Sequence, residues 1–310
     1  MAPAPLGSPD RPPRGGYGAA RAAAVAALLV AATGLAALVV RGAPGGTRAG
    51  RTAGLRASRV RRSERGARAR TRRHADEAQF HGPLLRGAAA RRATVPILMY
   101  HVIARAPAAT PFPQLWVPPR AFRAQLAALA AAGYTGVTLG QVFAAWDHGA
   151  PLPRRPVVLS FDDGYASDAT RAAPVLRRLR WPAVLNLAIR NVGRGGIRLR
   201  ALRRLVADGW EIDSHTVHHP DLTTLPGARV RAELVDSRAW IRHTLGAPAR
   251  FFCYPAGRFD AALVAAVRAA GYRGATTELP GRAAPGDDRF ELPRLRVSAG
   301  TAVTALVGAP

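Results

Sequence analysis

Pro156-Val157-Val158-Leu159-Ser160-Phe161-Asp162-Asp163-Gly164 is the stretch on which the reading of this chain turns. A short apolar run ends in two adjacent carboxylates and a glycine. The run is too short for a helix and reads as a strand buried on both faces, as in parallel sheets. Gly164 lets the chain turn away without steric cost. The same unit, a short apolar run followed by a longer amphipathic stretch, repeats on either side. Strands are expected at residues 95–100, 134–139, 156–161, 183–189, 210–213, 250–254, 273–277 and 295–297. Helices are expected at 120–132, from 139 to about 148, and at 168–180, 199–208, 228–245 and 261–270, with a terminal helix after Gly300. This alternation predicts an α/β fold with a parallel sheet closed as an irregular (β/α) barrel. Polar residues that end its strands would lie on the face where active sites gather in such barrels.

A second segment, His215-Thr216-Val217-His218-His219-Pro220, follows another short apolar stretch, Trp210-Glu211-Ile212. His215 and His219 would share a face if the segment made a helical turn, with His218 pointing elsewhere. One carboxylate and two imidazoles form a three-ligand site with a position left open for water, typical of catalytic metal centres. Asp162 and Asp163 are neighbours whose side chains diverge, so one can face a metal while the other faces substrate. Asp163, His215 and His219 are the expected ligands of one divalent cation. Zinc stands first, with cobalt, nickel and iron also suited to mixed N/O ligation. The spare aspartate can take a proton from the bound water, which points to metal-assisted hydrolysis. The plain alternatives are an Asp-Asp-Gly turn and histidines packed at a sheet end.

Composition narrows the choices. All 45 basic side chains among the 310 residues are Arg, a bias expected of a GC-rich coding sequence, so the net charge of +26 says little about a polyanionic partner. The first 95 residues hold 18 Arg against 4 acids, and the remainder 27 against 15. The basic run from Arg56 to Arg73 contains no aromatic residue. Nucleic-acid recognition would interleave stacking aromatics with the basic residues, so no specific nucleic-acid partner is expected. A hydrophobic content of 48% suits a globular core, and the single Cys253 excludes an intrachain disulfide. Oligomeric state is not legible.

The N-terminal third is organised differently. A short basic tail, residues 1–21, precedes an uncharged run at 22–40, AAAVAALLVAATGLAALVV, long enough to cross a bilayer as a helix. It ends in Leu-Val-Val-Arg-Gly, a poor cleavage site, so an uncleaved anchor is favoured over a signal peptide; a buried Ala-rich helix is the third reading. Residues 41–93, rich in Arg, Gly and Ala, lack apolar periodicity and read as a flexible linker. The catalytic domain is expected to span 94–310.

Taken in order, Ser160-Phe161-Asp162-Asp163-Gly164 and His215 to His219 resemble the polysaccharide deacetylases of the NodB-homology family, carbohydrate esterase family 4. The resemblance covers roughly residues 94–297. It implies that Asp162 is the general base and that Asp163, His215 and His219 bind the metal. The family's third motif normally carries an Arg, but here it reads Cys253-Tyr254-Pro255-Ala256-Gly257, and no His follows His243. Both departures resemble the circularly permuted poly-N-acetylglucosamine deacetylase branch, in which an N-terminal strand ending Met-Tyr-His supplies the missing histidine. Met99-Tyr100-His101 matches that pattern and implies His101 as the general acid. Arg294, in Leu292-Pro293-Arg294, resembles a late arginine of that branch and would stabilise ionised Asp162. Tyr254 and Ala256 are expected at the oxyanion or substrate site, with a backbone N–H near Ala256 as donor, since Pro255 has none. Cys253 reads as a small apolar filler.

The implied activity is hydrolysis of N-acetyl groups on N-acetylglucosamine-containing extracellular or cell-wall polysaccharide, at the outer face of the membrane or after secretion. Peptidoglycan, chitin oligomers or O-acetyl esters are alternative substrates, and an inactive glycan-binding module is the reading from another class. The Arg count on the two flanks of residues 22–40 opposes the outward orientation.

Overall fold

The computed structural model describes residues 80, 82–193 and 195–308. Eight parallel strands make up its main sheet: β1 (Ile97–Tyr100), β2 (Thr135–Val137), β3 (Pro156–Asp163), β4 (Val184–Leu187), β5 (Glu211–Ser214), β6 (Phe251–Cys253), β7 (Gly274–Pro280) and β8 (Leu292–Arg296). They pair in the order β1-β8-β7-β6-β5-β4-β3-β2, and a further pairing of β1 with β3 closes seven of them into a barrel. β2 pairs with the first half of β3 and β4 with the second half. The first strand of the barrel is therefore held between the last strand and β3.

Helices return the chain between strands. They are α1 (Pro119–Ala131), α2 (Leu139–His148), α3 (Ala173–Leu179), α4 (Leu199–Ala207), α5 (Gly227–Leu245) and α6 (Ala261–Ala269). Local chemistry sets their ends. Thr138 and Gln141 form a capping box at the start of α2: the Gln141 N–H donates to Thr138 Oγ1, and the Thr138 N–H donates to Gln141 Oε1. Gly149, at φ 65°, closes the same helix in the left-handed conformation. Asp260 caps α6 by accepting the Leu263 N–H. The helix expected at 168–180 is split: Asp168–Ala172 forms a wider π-type turn before α3 begins.

The strands alternate in what they present inward. Along β3, Val158, Ser160 and Asp162 share one face, and Val157, Leu159 and Phe161 share the other. The outer set packs with Leu185, Leu202 and Leu205 beneath the helices. Val158 instead joins Ile97, Val184, Phe251 and Leu292 in an apolar plug. Two residues on from the plug, the same strands carry Met99, Ser160, Asn186, Cys253 and Arg294, all buried. The barrel interior thus changes from apolar near the strand starts to polar near their ends, where the site lies.

The folded region begins earlier than residue 94. Leu84–Leu85 pairs antiparallel with Leu152–Pro153, and a short helix, Gly87–Arg91, packs against α2 with Ala90 fully buried. These few apolar residues dock onto a finished barrel, so they need no periodicity of their own. No helix among the described residues is long and apolar enough to cross a membrane. The expected tail, anchor and most of the linker, residues 1–79, lie outside the described residues.

Candidate active site

Asp162 and Asp163 are the last two residues of β3. In a regular strand their carboxylates would point to opposite faces. Asp163 instead adopts φ 77°, and Gly164 follows at φ 88°. This left-handed kink swings Asp163 so that both carboxylates line one cavity of about 310 Å³, together with His101, His215, His219 and Ala256. At φ 88° a Cβ on Gly164 would be strained and would sit 2.6 Å from Leu187 Cδ1, so glycine suits the kink. Asp163, Thr216, His219 and Ala256 are all non-glycine residues with positive φ around this cavity. Backbone strain of this kind, of order 1–3 kcal/mol per residue, concentrates at functional sites.

The imidazoles converge on Asp163. Asp163 Oδ1 lies 3.5 Å from His215 Nε2 and 3.4 Å from His219 Nε2, and the two Nε2 atoms are 3.1 Å apart. Tetrahedral zinc, with bonds of about 2.0–2.2 Å, separates its donors by roughly 3.3–3.6 Å, so the two sides to Asp163 fit and the Nε2–Nε2 side, at 3.1 Å, is slightly short. The tautomer fits as well. His215 Nδ1–H donates to the Cys253 carbonyl at 2.8 Å, which leaves the Nε2 lone pair for a metal. The segment between the histidines is not the expected helical turn. It bends through Thr216 (φ 71°) and His219 (φ 55°), and that bend brings the two rings together.

Asp162 is almost wholly buried. Its Oδ1 accepts from Asn186 Nδ2 at 2.7 Å and from Arg294 Nη1 at 2.9 Å. Arg294, fully buried as well, also donates from Nε to the Thr277 carbonyl and from Nη1 to Ser160 Oγ. Burial alone would raise the Asp162 carboxyl, but the Arg294 guanidinium holds it well below the usual carboxylate range. Oδ1 takes both nitrogen donors, which leaves Oδ2 with only the weak Cys253 Sγ–H donor at 3.8 Å, and it lies 3.8 Å from His101 Nε2. Burial lowers the His101 pKa although the Asp162 and Asp163 carboxylates pull it up.

Tyr254 does not reach this cavity. Its ring packs between Phe252 and Phe259 in a separate apolar cluster, and its N–H is spent on the Thr276 carbonyl of β7. As the residue that continues β6, it has its main-chain donor committed to the sheet. Ala256, two residues on, does line the cavity.

Two groups escaped the sequence reading. Asn186 sits beside Asp162 because β3 and β4 pair those residues, a register invisible before the sheet is known. Glu233 on α5 accepts the N–H groups of Val217 and His218 and the Nδ1–H of His218. Its only trace in the sequence is an acid on the inward stripe of an amphipathic helix.

The comparisons agree with this geometry. Residues 149–275 match the polysaccharide deacetylase family. The Bacillus subtilis protein YxkH, which carries a polysaccharide deacetylase name, is 27% identical over 214 residues, 69% of this chain and 75% of that protein. The Bacillus cereus polysaccharide deacetylase BC0361 superimposes with a TM-score of 0.63 at 27% identity, covering 70% of this chain and 69% of that one. The Escherichia coli poly-beta-1,6-N-acetyl-D-glucosamine N-deacetylase is 48% identical over 64 residues, which are 21% of this chain but 10% of that protein. Residues 149–275, which carry the paired aspartates at one strand end and the histidines at another, are thus a polysaccharide deacetylase domain of the NodB-homology type.

Proposed function

We propose that this chain is a metal-dependent hydrolase that removes N-acetyl groups from N-acetylglucosamine-containing polysaccharide and releases acetate. The observation that carries this reading is the donor triangle of Asp163, His215 and His219 beside the Asp162 carboxylate. The 64-residue likeness to the Escherichia coli enzyme supports the choice of glycan.

A divalent cation on those three residues, with zinc first and cobalt, nickel or iron as alternatives, would lower the pKa of a bound water toward about 7 and polarise the acetyl carbonyl. The remaining work falls to the chain. Asp162, kept ionised by Arg294 and Asn186, takes the proton of the attacking water at Oδ2. The Ala256 N–H is the backbone donor for the developing oxyanion. The leaving amine needs a proton, and His101 is the group placed to give it. Burial keeps His101 neutral at rest, so it must gain a proton during the reaction. Asp162 Oδ2, 3.8 Å from Nε2, is the group that has just acquired one. The water thus ends as hydroxyl on acetate and hydrogen on the amine.

The apolar run at 22–40 supports a membrane anchor, with secretion after cleavage as the alternative, and the polysaccharide substrate is the reason for an outward-facing catalytic domain, against the Arg count of the flanks. Acetate release by the full chain from N-acetylglucosamine oligomers, before and after metal stripping and zinc return, tests the reading. Equal release by wild type and Asp162→Asn would refute it.

A further inference from the structure

Glu233 touches none of the groups given a chemical role above. Its carboxylate is 4% exposed, yet three donors meet on it. The N–H groups of Val217 and His218 reach Oε2 at 2.8 and 2.9 Å, and His218 Nδ1–H reaches Oε1 at 2.7 Å. Burial alone would raise its pKa, but the bonds from His218 and Val217 hold it below the ordinary value. One helical turn on, Ser237 Oγ lies 2.7 Å from Ser214 Oγ, which accepts the Thr216 N–H. The Thr216 hydroxyl in turn accepts the His219 N–H at 2.8 Å. One face of α5 therefore grips the whole segment between His215 and His219.

That segment needs gripping. Two of its five residues, Thr216 and His219, are in the left-handed region; on the side away from α5 the Ile189 and Arg190 N–H groups and the Arg190 side chain hold its carbonyls, while Glu233 of α5 holds the Val217 and His218 N–H groups. Strain of order 1–3 kcal/mol at each must be offset by bonds from outside the segment. Glu233 provides three, all to a charged acceptor, the strong kind.

We propose that Glu233 is a positioning residue: it locks the 215–219 loop in the conformation that turns both Nε2 atoms toward Asp163, so that cation affinity depends on a helix residue that touches no ligand side chain. His218 is then the latch of this lock and not a fourth ligand. The inference rests on the metal-site reading of Asp163, His215 and His219.

The test uses the full chain with Glu233→Ala, Glu233→Asp and Glu233→Gln. Zinc affinity is read by competition with a chromophoric chelator, and hydrogen exchange is followed at the Val217 and His218 amides. Loss of a supporting partner of this kind typically weakens metal binding about 10- to 100-fold, and Glu233→Ala should fall in that range with both amides deprotected. Glu233→Gln, which still offers an oxygen to the two amides, should recover most of the affinity. Glu233→Asp keeps the charge but withdraws the oxygens. It should lose affinity and protection, and it carries the test if Glu233→Ala does not fold. A purely structural role would lower the melting temperature and leave zinc affinity unchanged. Wild-type affinity in the folded Ala or Asp variant overturns the proposal. If the wild type binds no zinc, the metal reading fails, and the amides alone decide the lock: unchanged protection in Glu233→Ala or Glu233→Asp refutes it.

Discussion

Replacing Arg294 with Met removes the only guanidinium bonded to Asp162 among the described residues, and the consequences follow from the contacts. Arg294 bonds Asp162 at 2.9 Å, Ser160 at 3.2 Å and the Thr277 carbonyl at 2.7 Å, with its side chain shut off from solvent. Breaking a buried ion pair from one side costs about 3–5 kcal/mol, because the surviving charge keeps its desolvation penalty. In a domain of this size each kcal/mol lowers Tm by about 2–4 °C, so a fall of roughly 6–20 °C is expected. The Asp162 carboxyl must also respond. In the wild type its folded pKa is depressed, so the stability it contributes is complete above the unfolded value of about 3.9 and is lost as pH falls through the lower folded value. Without Arg294, burial prevails and the folded pKa rises. The acid limb of kcat/KM for acetate release should then move to higher pH. Arg294→Lys, which keeps the charge without the planar fork, should give a smaller shift. The assay is kcat/KM against pH with zinc saturating, paired with calorimetry. A lowered Tm with an unmoved acid limb would refute the view that Arg294 keeps Asp162 ionised.

Asp162→Asn should lower Tm, because Arg294 keeps a buried charge with no counter-ion although the amide oxygen can still accept from it, and kcat of the folded protein should drop about 10²–10⁴-fold; melts and steady-state acetate assays check this. His219→Ala should bind zinc far more weakly yet cost less stability than His215→Ala, since His219 is partly exposed and His215 is buried, and parallel zinc titrations and melts would show the order. Gly164→Ala should destabilise by about 1–3 kcal/mol, because φ is 88° and the new methyl would lie 2.6 Å from Leu187 Cδ1. Urea unfolding measures it, and a neutral result would mean the β3 exit relaxes freely.

Residues close in the chain could be read before any coordinates. Pro156 to Phe161 announced a buried strand, because a parallel strand covered on both faces is mostly apolar along its length. The regular return of such runs between amphipathic stretches gave the barrel, and Asp163, His215 and His219 stood out as strand-end residues of metal-binding type. Tertiary structure decided what depends on register and on backbone hand. Whether Asp162 and Asp163 face one cavity turned on a positive φ at Asp163, which no side-chain pattern encodes. Asn186 meets Asp162 only because β4 pairs with β3 at that step, and Arg294 meets it only because β8 lies across the barrel interior. Tyr254 looked like a site residue because it sits between Cys253 and Ala256, but its own ladder bond to β7 turned it into core. Glu233 became visible only once α5 had packed against the 215–219 loop. Local sequence fixes φ/ψ preference and burial, which are short-range properties. A site assembled from separate strand ends depends on how those strands slide and twist past one another, and that is settled only when the barrel closes.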